Sequence, residues 1–314
     1  WDQFLDWFPD DESCRHYLEG IRWKQGFVCP GCGEAGVAFQ GSRGRWICRH
    51  CRRQSTVTAG TIFDKTRTPL RNWLAAVWYV VNQKQGVNAL GLQRVLGLGS
   101  YQTAWAMLHR LRRAMIRPGR ERLHGVVEVD ECIVGRSPPL SIRDTKKKQK
   151  LTAKRKAQLS IVVVAVEIKQ PKGFGRIRLQ RVTDKSEKAV LPFVLDAVEP
   201  GSVVRTDGSA AYRKLEKHGY QRDKTVQLGA EDPAHVTMPG VHRVAALLKR
   251  WLLGTHQGAV RPEQLDYYLD EFVFRFNRRT SRSRGLLFYR MLEQALVTEP
   301  VTYAQITRKA KHNI

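Results

Sequence analysis

The chain has 314 residues, 42% of them hydrophobic, enough for real cores and for more than one domain. Lys and Arg number 54 against 29 acids, a formal net charge of +25; an excess this large needs a polyanion, and DNA or RNA is the expected partner. No run approaches the roughly 18 apolar residues of a membrane span, and no basic helix with a Trp/Phe face argues for a membrane surface.

The start, W-D-Q-F-L-D-W-F-P-D, has no secretory pattern, so an intracellular chain is expected. Trp1 stands where Met would open a chain, and a short preceding stretch is expected. Residues 1–25 read as an N-terminal helical segment. Cys29 and Cys32, then Cys48 and Cys51, form C-P-G-C and C-R-H-C, two knuckles at zinc-site spacing. Paired disulfides compete with this reading, but reduced thiols suit one structural Zn²⁺ better. Residues 26–55 therefore read as a zinc ribbon, with His50 on its surface. Its Arg43, Arg45, Arg49, Arg52 and Arg53 suit a DNA contact; a protein-interaction ribbon is the other reading. Cys14 and Cys132 are left over as buried thiols.

Residues 66–120 read as a helix-turn-helix DNA-binding region. Pro69–Asn82 has apolar residues at helical spacing, and Val87–Leu96 and Tyr101–Met115 are two further helical patterns around G-L-G-S, with Ser100 as N-cap of the second. Arg110, Arg112, Arg113, Arg117 and Arg120 make the end of that second helix basic. Helix pairs are common in proteins that bind no DNA; the flanking Arg residues favour DNA here.

Val126–Val134 reads V-V-E-V-D-E-C-I-V. As a strand it sets Val127, Val129 and Ile133 on one face and Glu128, Asp130 and Cys132 on the other. Two carboxylates on a firm strand suit a divalent metal, while a solvated edge strand with ordinary surface acids is the plainer alternative. A basic loop at 136–157 follows, with eight Lys or Arg between Arg143 and Lys156; such blocks are disordered when free and order on phosphates, which makes Lys146, Lys147 and Lys148 candidate DNA contacts. Leu159–Ile168 is a β-branched run expected as a central strand, Gly175–Val182 its hairpin partner, Lys185–Val198 an amphipathic helix and Ser202–Thr206 a short strand. This order implies an α/β fold with a mixed sheet. Asp207 follows that strand at a Gly turn, a usual place for functional side chains. If the last strand lies beside the first, Asp130 and Asp207 converge; the alternative is that Asp207 only caps a helix over Ser209–Lys217.

A helix from Val241 to Leu253 sets Val244, Leu247, Leu248 and Trp251 on one face and His242, Ala246 and Lys249 on the other. His242 and Lys249 are two turns apart, about 10 Å, a span suited to one residue at a metal and one on a phosphate. Arg250 adjoins them. Arg261–Phe276 is a further amphipathic helix, leading into the basic patch N-R-R-T-S-R-S-R with Arg278 and Arg279, and 280–314 reads as a basic tail.

Together, the CxxC pairs, V-E-V-D-E, R-T-D-G-S-A-A-Y, L-L-K-R-W-L-L-G-T-H and Y-L-D-E-F-V-F-R-F-N-R-R resemble the zinc-ribbon, ISXO-like group of bacterial insertion-sequence transposases, over nearly the whole chain. The resemblance implies an α/β multidomain protein whose residues 123–279 are a ribonuclease-H-like catalytic domain. Asp130 and Asp207 would be the first two members of a DDE-type triad, with His242 in place of the commoner third Glu and Lys249 the Lys that follows it. Two catalytic Mg²⁺ or Mn²⁺ ions are then expected on Asp130, Asp207 and His242, with Glu128, Glu231 or Asp232 as replacement carboxylates if His242 is no ligand. The implied activity is metal-dependent cleavage of double-stranded DNA at element ends and strand transfer to a target, by a homodimer or larger assembly at the bacterial nucleoid in the cytoplasm. A nuclease or resolvase without strand transfer, and a catalytically dead DNA-binding regulator, are the alternatives.

Overall fold

A computed structural model describes residues 1–36, 38–117, 119–135, 158–169, 171–224, 237–258 and 260–307. Lys146, Lys147, Lys148 and the rest of the 136–157 loop lie outside the described residues, as do Glu231, Asp232, residues 308–314 and the Arg43 side chain. The chain divides into two units, Trp1–Arg117 with Ser281–Arg308, and Pro118–Thr280 with Lys309–Ile314.

In the first unit, helix Asp11–Arg22 begins with a capping box in which the Asp10 side chain accepts from Ser13 N–H. The Asp11 carboxylate reaches across to accept from Leu70 and Arg71 N–H. That caps helix Leu70–Asn82, whose own N-cap residue, Pro69, makes no side-chain bond. Three short antiparallel strands follow the first helices, β1 (Ala38–Gln40), β2 (Trp46–Cys48) and β3 (Gln54–Ser55). Trp23, Phe27 and Trp46 pack against Cys29 and Cys48, so the ribbon has a small aromatic core of its own. Helices Ala89–Val95 and Tyr101–Ala114 start on Asn88 and Ser100, whose side chains accept from Gly91 and Gln102 N–H.

Among the described residues, the tail expected at 280–314 carries two helices, Arg284–Val297 and Tyr303–Thr307. Arg284–Val297 is capped by Ser283, and its Phe288 stacks on Tyr17 and meets Phe8 and the edge-on Trp78 of the first unit. Leu287, Phe288, Met291, Leu292 and Ala295 are buried at helical spacing, and this apolar stripe outweighs the Arg residues around it.

The second unit is built on a five-stranded sheet in the order β6-β5-β4-β7-β8, where β4 is Val126–Gly135, β5 Leu159–Ile168, β6 Phe174–Val182, β7 Val203–Thr206 and β8 Gln221–Lys224. β4, β5 and β6 pair antiparallel; β7 joins β4, and β8 joins β7, in parallel. Each face carries a helical layer. Val162, Val164 and Val166 pack with helices Pro239–His256 and Leu265–Asn277 through Val241, Val244, Leu248 and Phe272. Val127, Val129, Val163 and Ala165 pack with helix Glu187–Ala197 through Val190, Phe193 and Val194. Burial on both faces is why β5 reads as a continuous apolar run. Ile133, on the same strand face as the buried Val127 and Val129, is 50% exposed. The helix expected over Ser209–Lys217 is two 3₁₀ turns, Ala210–Tyr212 and Leu215–His218, ended by Gly219 at φ 82.

Candidate active site and zinc centre

The Sγ atoms of Cys29, Cys32, Cys48 and Cys51 all lie within 4.8 Å of one another, Cys29 to Cys51 at 3.5 Å and Cys32 to Cys48 at 3.8 Å. Four sulfurs about 2.3 Å from a tetrahedral zinc stand about 3.8 Å apart, whereas a disulfide needs about 2.05 Å. All six cysteines are free thiols, so the disulfide alternative falls and the cluster fits one structural zinc. Within the first knuckle, backbone N–H groups of Cys32, first, and of Gly31 pull the Cys29 thiol down to about 6, while, against the Glu34 N–H, burial and the neighbouring thiols push Cys32 up to about 12. His50 is exposed, as expected. Cys14 is buried and Cys132 partly so; burial pushes their thiols up to about 12 and about 11.

β7 lies beside β4, the condition under which the two aspartates meet. The parallel register runs Val126 to Val203, Val127 to Val204, Glu128 to Arg205 and Val129 to Thr206. One step further the chain reaches Asp207 next to Asp130, on strands normally about 4.8 Å apart. Asp207 Oδ1 accepts from Ser209 N–H at 2.9 Å, an Asx turn that fixes the carboxylate; among the described residues nothing bonds its second oxygen. Asp130 Oδ1 accepts from Glu131 N–H at 2.7 Å. Burial first, then the neighbouring carboxylates Glu131 and Asp207, push Asp130 up to about 6, against the Glu131 N–H and Lys185. A group of carboxylates only partly offset by Lys185 is the chemistry a divalent cation matches.

His242 lies in the first turn of helix Pro239–His256, its Nε2 shielded from solvent, close enough for its charge to act on Glu128. Lys249 is exposed on the same helix and its charge acts on Cys132, which also feels Asp130. Among the described residues the four cysteines are the one group of three or more His, Cys, Asp or Glu ligand atoms within 4.8 Å of each other, so Asp130, Asp207 and His242 are not drawn that tightly together. Glu128, a candidate replacement ligand, is 0% exposed and engaged elsewhere: its Oε2 accepts from Gly240 and Val241 N–H. Glu131, Tyr212 and Lys185 also enter the site, the Tyr212 hydroxyl donating to Glu131 Oε1 at 2.5 Å and Lys185 Nζ lying 3.5 Å from Oε2. Their signal in the sequence was the third acid of V-E-V-D-E and the Tyr closing D-G-S-A-A-Y.

The basic residues separate into two groups. Lys249 and Arg250 are exposed. Arg112 is buried, 1% exposed, its guanidinium 3.4 Å from His109 Nε2, and is thereby removed from the candidate DNA contacts. Arg110 donates through Nε to Val301 O, and Arg113 is half-buried. Arg278 lies over Phe274 and Arg279 over Phe276; Arg279 also donates to the carbonyls of Phe174, Gly175 and Phe276, stapling the end of helix Leu265–Asn277 to β6. Among the described residues no helix is long and apolar enough to cross a membrane.

The chain thus combines a four-cysteine ribbon in one unit with a mixed five-stranded sheet in the other, and comparison with known proteins gives the class. Residues 122–277 match the ISXO2-like transposase domain and residues 9–54 the transposase zinc-ribbon domain. Over 276 residues the chain is 27% identical to an uncharacterized protein in transposable element ISH50 of Halobacterium salinarum, a match covering 85% of this chain and 91% of that protein. The chain belongs to the ISXO2-like, zinc-ribbon family of insertion-sequence transposases.

Proposed function

We propose that the protein binds the ends of its element and cuts and rejoins double-stranded DNA at a divalent-metal site on Asp130 and Asp207, with His242 in the third position of the triad. The observation that carries this is the β4–β7 register, which leads Asp207 to the side of Asp130. The strand order, three antiparallel strands continued by two parallel ones with helices on both faces, supports a ribonuclease-H-like domain. The capped helices Ala89–Val95 and Tyr101–Ala114 support a helix-turn-helix that holds the element end.

Two Mg²⁺ or Mn²⁺ ions suit the hard carboxylate oxygens of Asp130 and Asp207; when bound they supply an activated nucleophile and neutralise charge on the scissile phosphate. The chain's own residues do the rest. The Asx turn at Ser209 holds Asp207 in place, and burial keeps water from competing at Asp130. His242 acts at the metal edge of the site, and Lys249, exposed two turns along the same helix face, takes a flanking phosphate. Two or more copies assemble on paired ends at the nucleoid.

The test incubates the purified protein and Mg²⁺ with DNA carrying the sequences that flank its gene. Nicked ends and their joining to a second duplex are expected. Nicks without joining would make it a nuclease, and binding without nicks a regulator. Asp130→Asn and Asp207→Asn should bind DNA and leave it uncut.

A further inference from the structure

Asp130 is flanked by two glutamates that point to opposite faces of the sheet, and each is tied to an element that carries another site residue. Glu128 Oε2 accepts from Gly240 N–H at 2.7 Å and from Val241 N–H at 3.1 Å, in the first turn of helix Pro239–His256. Met238, the N-cap residue, makes no side-chain cap, so Glu128 satisfies amides that the helix itself leaves open and adds a negative charge where the helix dipole favours one. The approach is close: a Cβ on Gly240 would stand 2.8 Å from Glu128 Oε2 and 2.8 Å from Ile168 Cδ1. Glycine is what lets this helix end descend onto β4 and β5, and His242 follows two residues later.

On the other face the Glu131 side chain is 3% exposed, 3.5 Å from Lys185 Nζ, and accepts from the Tyr212 hydroxyl at 2.5 Å. Tyr212 is buried within the core on that face and belongs to the 3₁₀ turn Ala210–Tyr212, directly after the Asx turn of Asp207. Both oxygens of Glu131 are thus engaged, by a phenol and a lysine, whereas Glu128 commits Oε2 to the two amides and leaves its buried Oε1 without a hydrogen bond, with Arg205 at 3.8 Å.

We propose that Glu128 and Glu131 are positioning residues, through which β4 fixes the helix bearing His242 and the turn bearing Asp207 relative to Asp130. The inference rests on the proposed active site, and its test has one arm that needs no activity. In the full chain without DNA, amide exchange at Gly240 and Val241 should be slow and should accelerate about tenfold in Glu128→Ala, the loss expected for one net hydrogen bond. In DNA cleavage, Glu128→Ala and Tyr212→Phe should each lower kcat about 10- to 100-fold, as removal of partners around a metal site does, with the Kd for DNA unchanged. Glu128→Gln keeps an oxygen for both amides and should recover most of the rate. Unchanged exchange in Glu128→Ala would overturn the anchor. Glu128→Gln as inactive as Glu128→Ala, with the amides still protected, would overturn it in favour of direct metal ligation. A wild-type protein that cuts no DNA but shows the exchange response would defeat the proposed function and leave the anchor standing.

Discussion

Asp207 stands one residue beyond the last pair of the parallel β4–β7 ladder, Val129 with Thr206, so the chain carries its carboxylate to the side of Asp130. Backbone pairing fixes this relationship, and substituting either side chain leaves the ladder intact. Asp130→Asn and Asp207→Asn should therefore keep the wild-type melting temperature within a few degrees, since neither disturbs a core contact. Both should retain DNA affinity, having lost no positive charge, and should yield no nicked product in gel assays. Loss of DNA binding in either variant would show that the aspartates hold the fold instead of the reaction.

The ribbon should depend on zinc. Its core is three aromatics, two cysteines and Ala38, far too little for an independent fold, so the metal must supply the difference, on the order of 10 kcal/mol in comparable peptides. Metal analysis should give one zinc per chain. Cys29→Ser or a strong chelator should release it and expose Trp23 and Trp46, read as a red shift in fluorescence, while the 118–280 unit keeps its far-ultraviolet signal. An ordered ribbon in a zinc-free preparation would refute this.

Much of this fold was legible because local signals agreed with the tertiary outcome. Leu159–Ile168 matches its strand end to end, the Cys spacing marked the four thiols that cluster, and the short strand expected at Ser202–Thr206 runs from Val203 to Thr206. What escaped was set by distant partners. β8, Gln221–Lys224, has the sequence Q-R-D-K and no apolar alternation; it forms because β7 offers an edge, and edge strands favour charge. Glu128 looked like an open carboxylate because the amides that occupy it lie more than a hundred residues away. Arg112 looked solvent-facing among other Arg residues, though its position on the helix turns it inward.

That burial separates two arginines that the sequence treats alike. Arg112→Ala should cost about 2 kcal/mol of stability by emptying a packed polar site, with little change in the salt dependence of DNA binding. Arg250→Ala, at an exposed position, should do the reverse, leaving the melting temperature unchanged and reducing the salt slope by about 0.9, the value for one phosphate contact. Binding isotherms at several salt concentrations, beside thermal melts, distinguish the two.

The ion pair between Glu167 and Arg176 gives a pH test of the catalytic domain's stability. Glu167 is 8% exposed; it accepts from Arg176 through backbone and side chain and from His124 N–H. Burial raises its carboxyl, but the Arg176 bonds outweigh burial and hold it below the ordinary 4.5. A lowered folded pKa contributes stability above the unfolded value and loses it as pH falls through the folded one. Glu167→Gln should therefore cost about 2 kcal/mol at pH 7, a buried pair discounted for the exposed edge of Arg176. The gap to wild type should hold down to about pH 5 and close as the solution is acidified further. A gap independent of pH would mean that shape and not charge is at stake.

His242 is where this chain departs from the commoner acidic triad, and its substitutions report what the imidazole does. It sits in the first turn of a helix whose end is bonded to β4 through Glu128, next to the strand of Asp130. A neutral imidazole at a metal favours the more nitrogen-tolerant ion, so wild-type cleavage should be faster with Mn²⁺ than with Mg²⁺. His242→Ala should lower cleavage at least about 100-fold, and His242→Glu, restoring an oxygen ligand, should work well with Mg²⁺. If His242 instead moves a proton or touches phosphate, His242→Glu should fail with both ions and the Mn²⁺ preference should vanish. Near-normal cleavage by His242→Ala would remove it from the site altogether. With Glu128 already engaged by the helix, Glu231 and Asp232 would then be the carboxylates to substitute next.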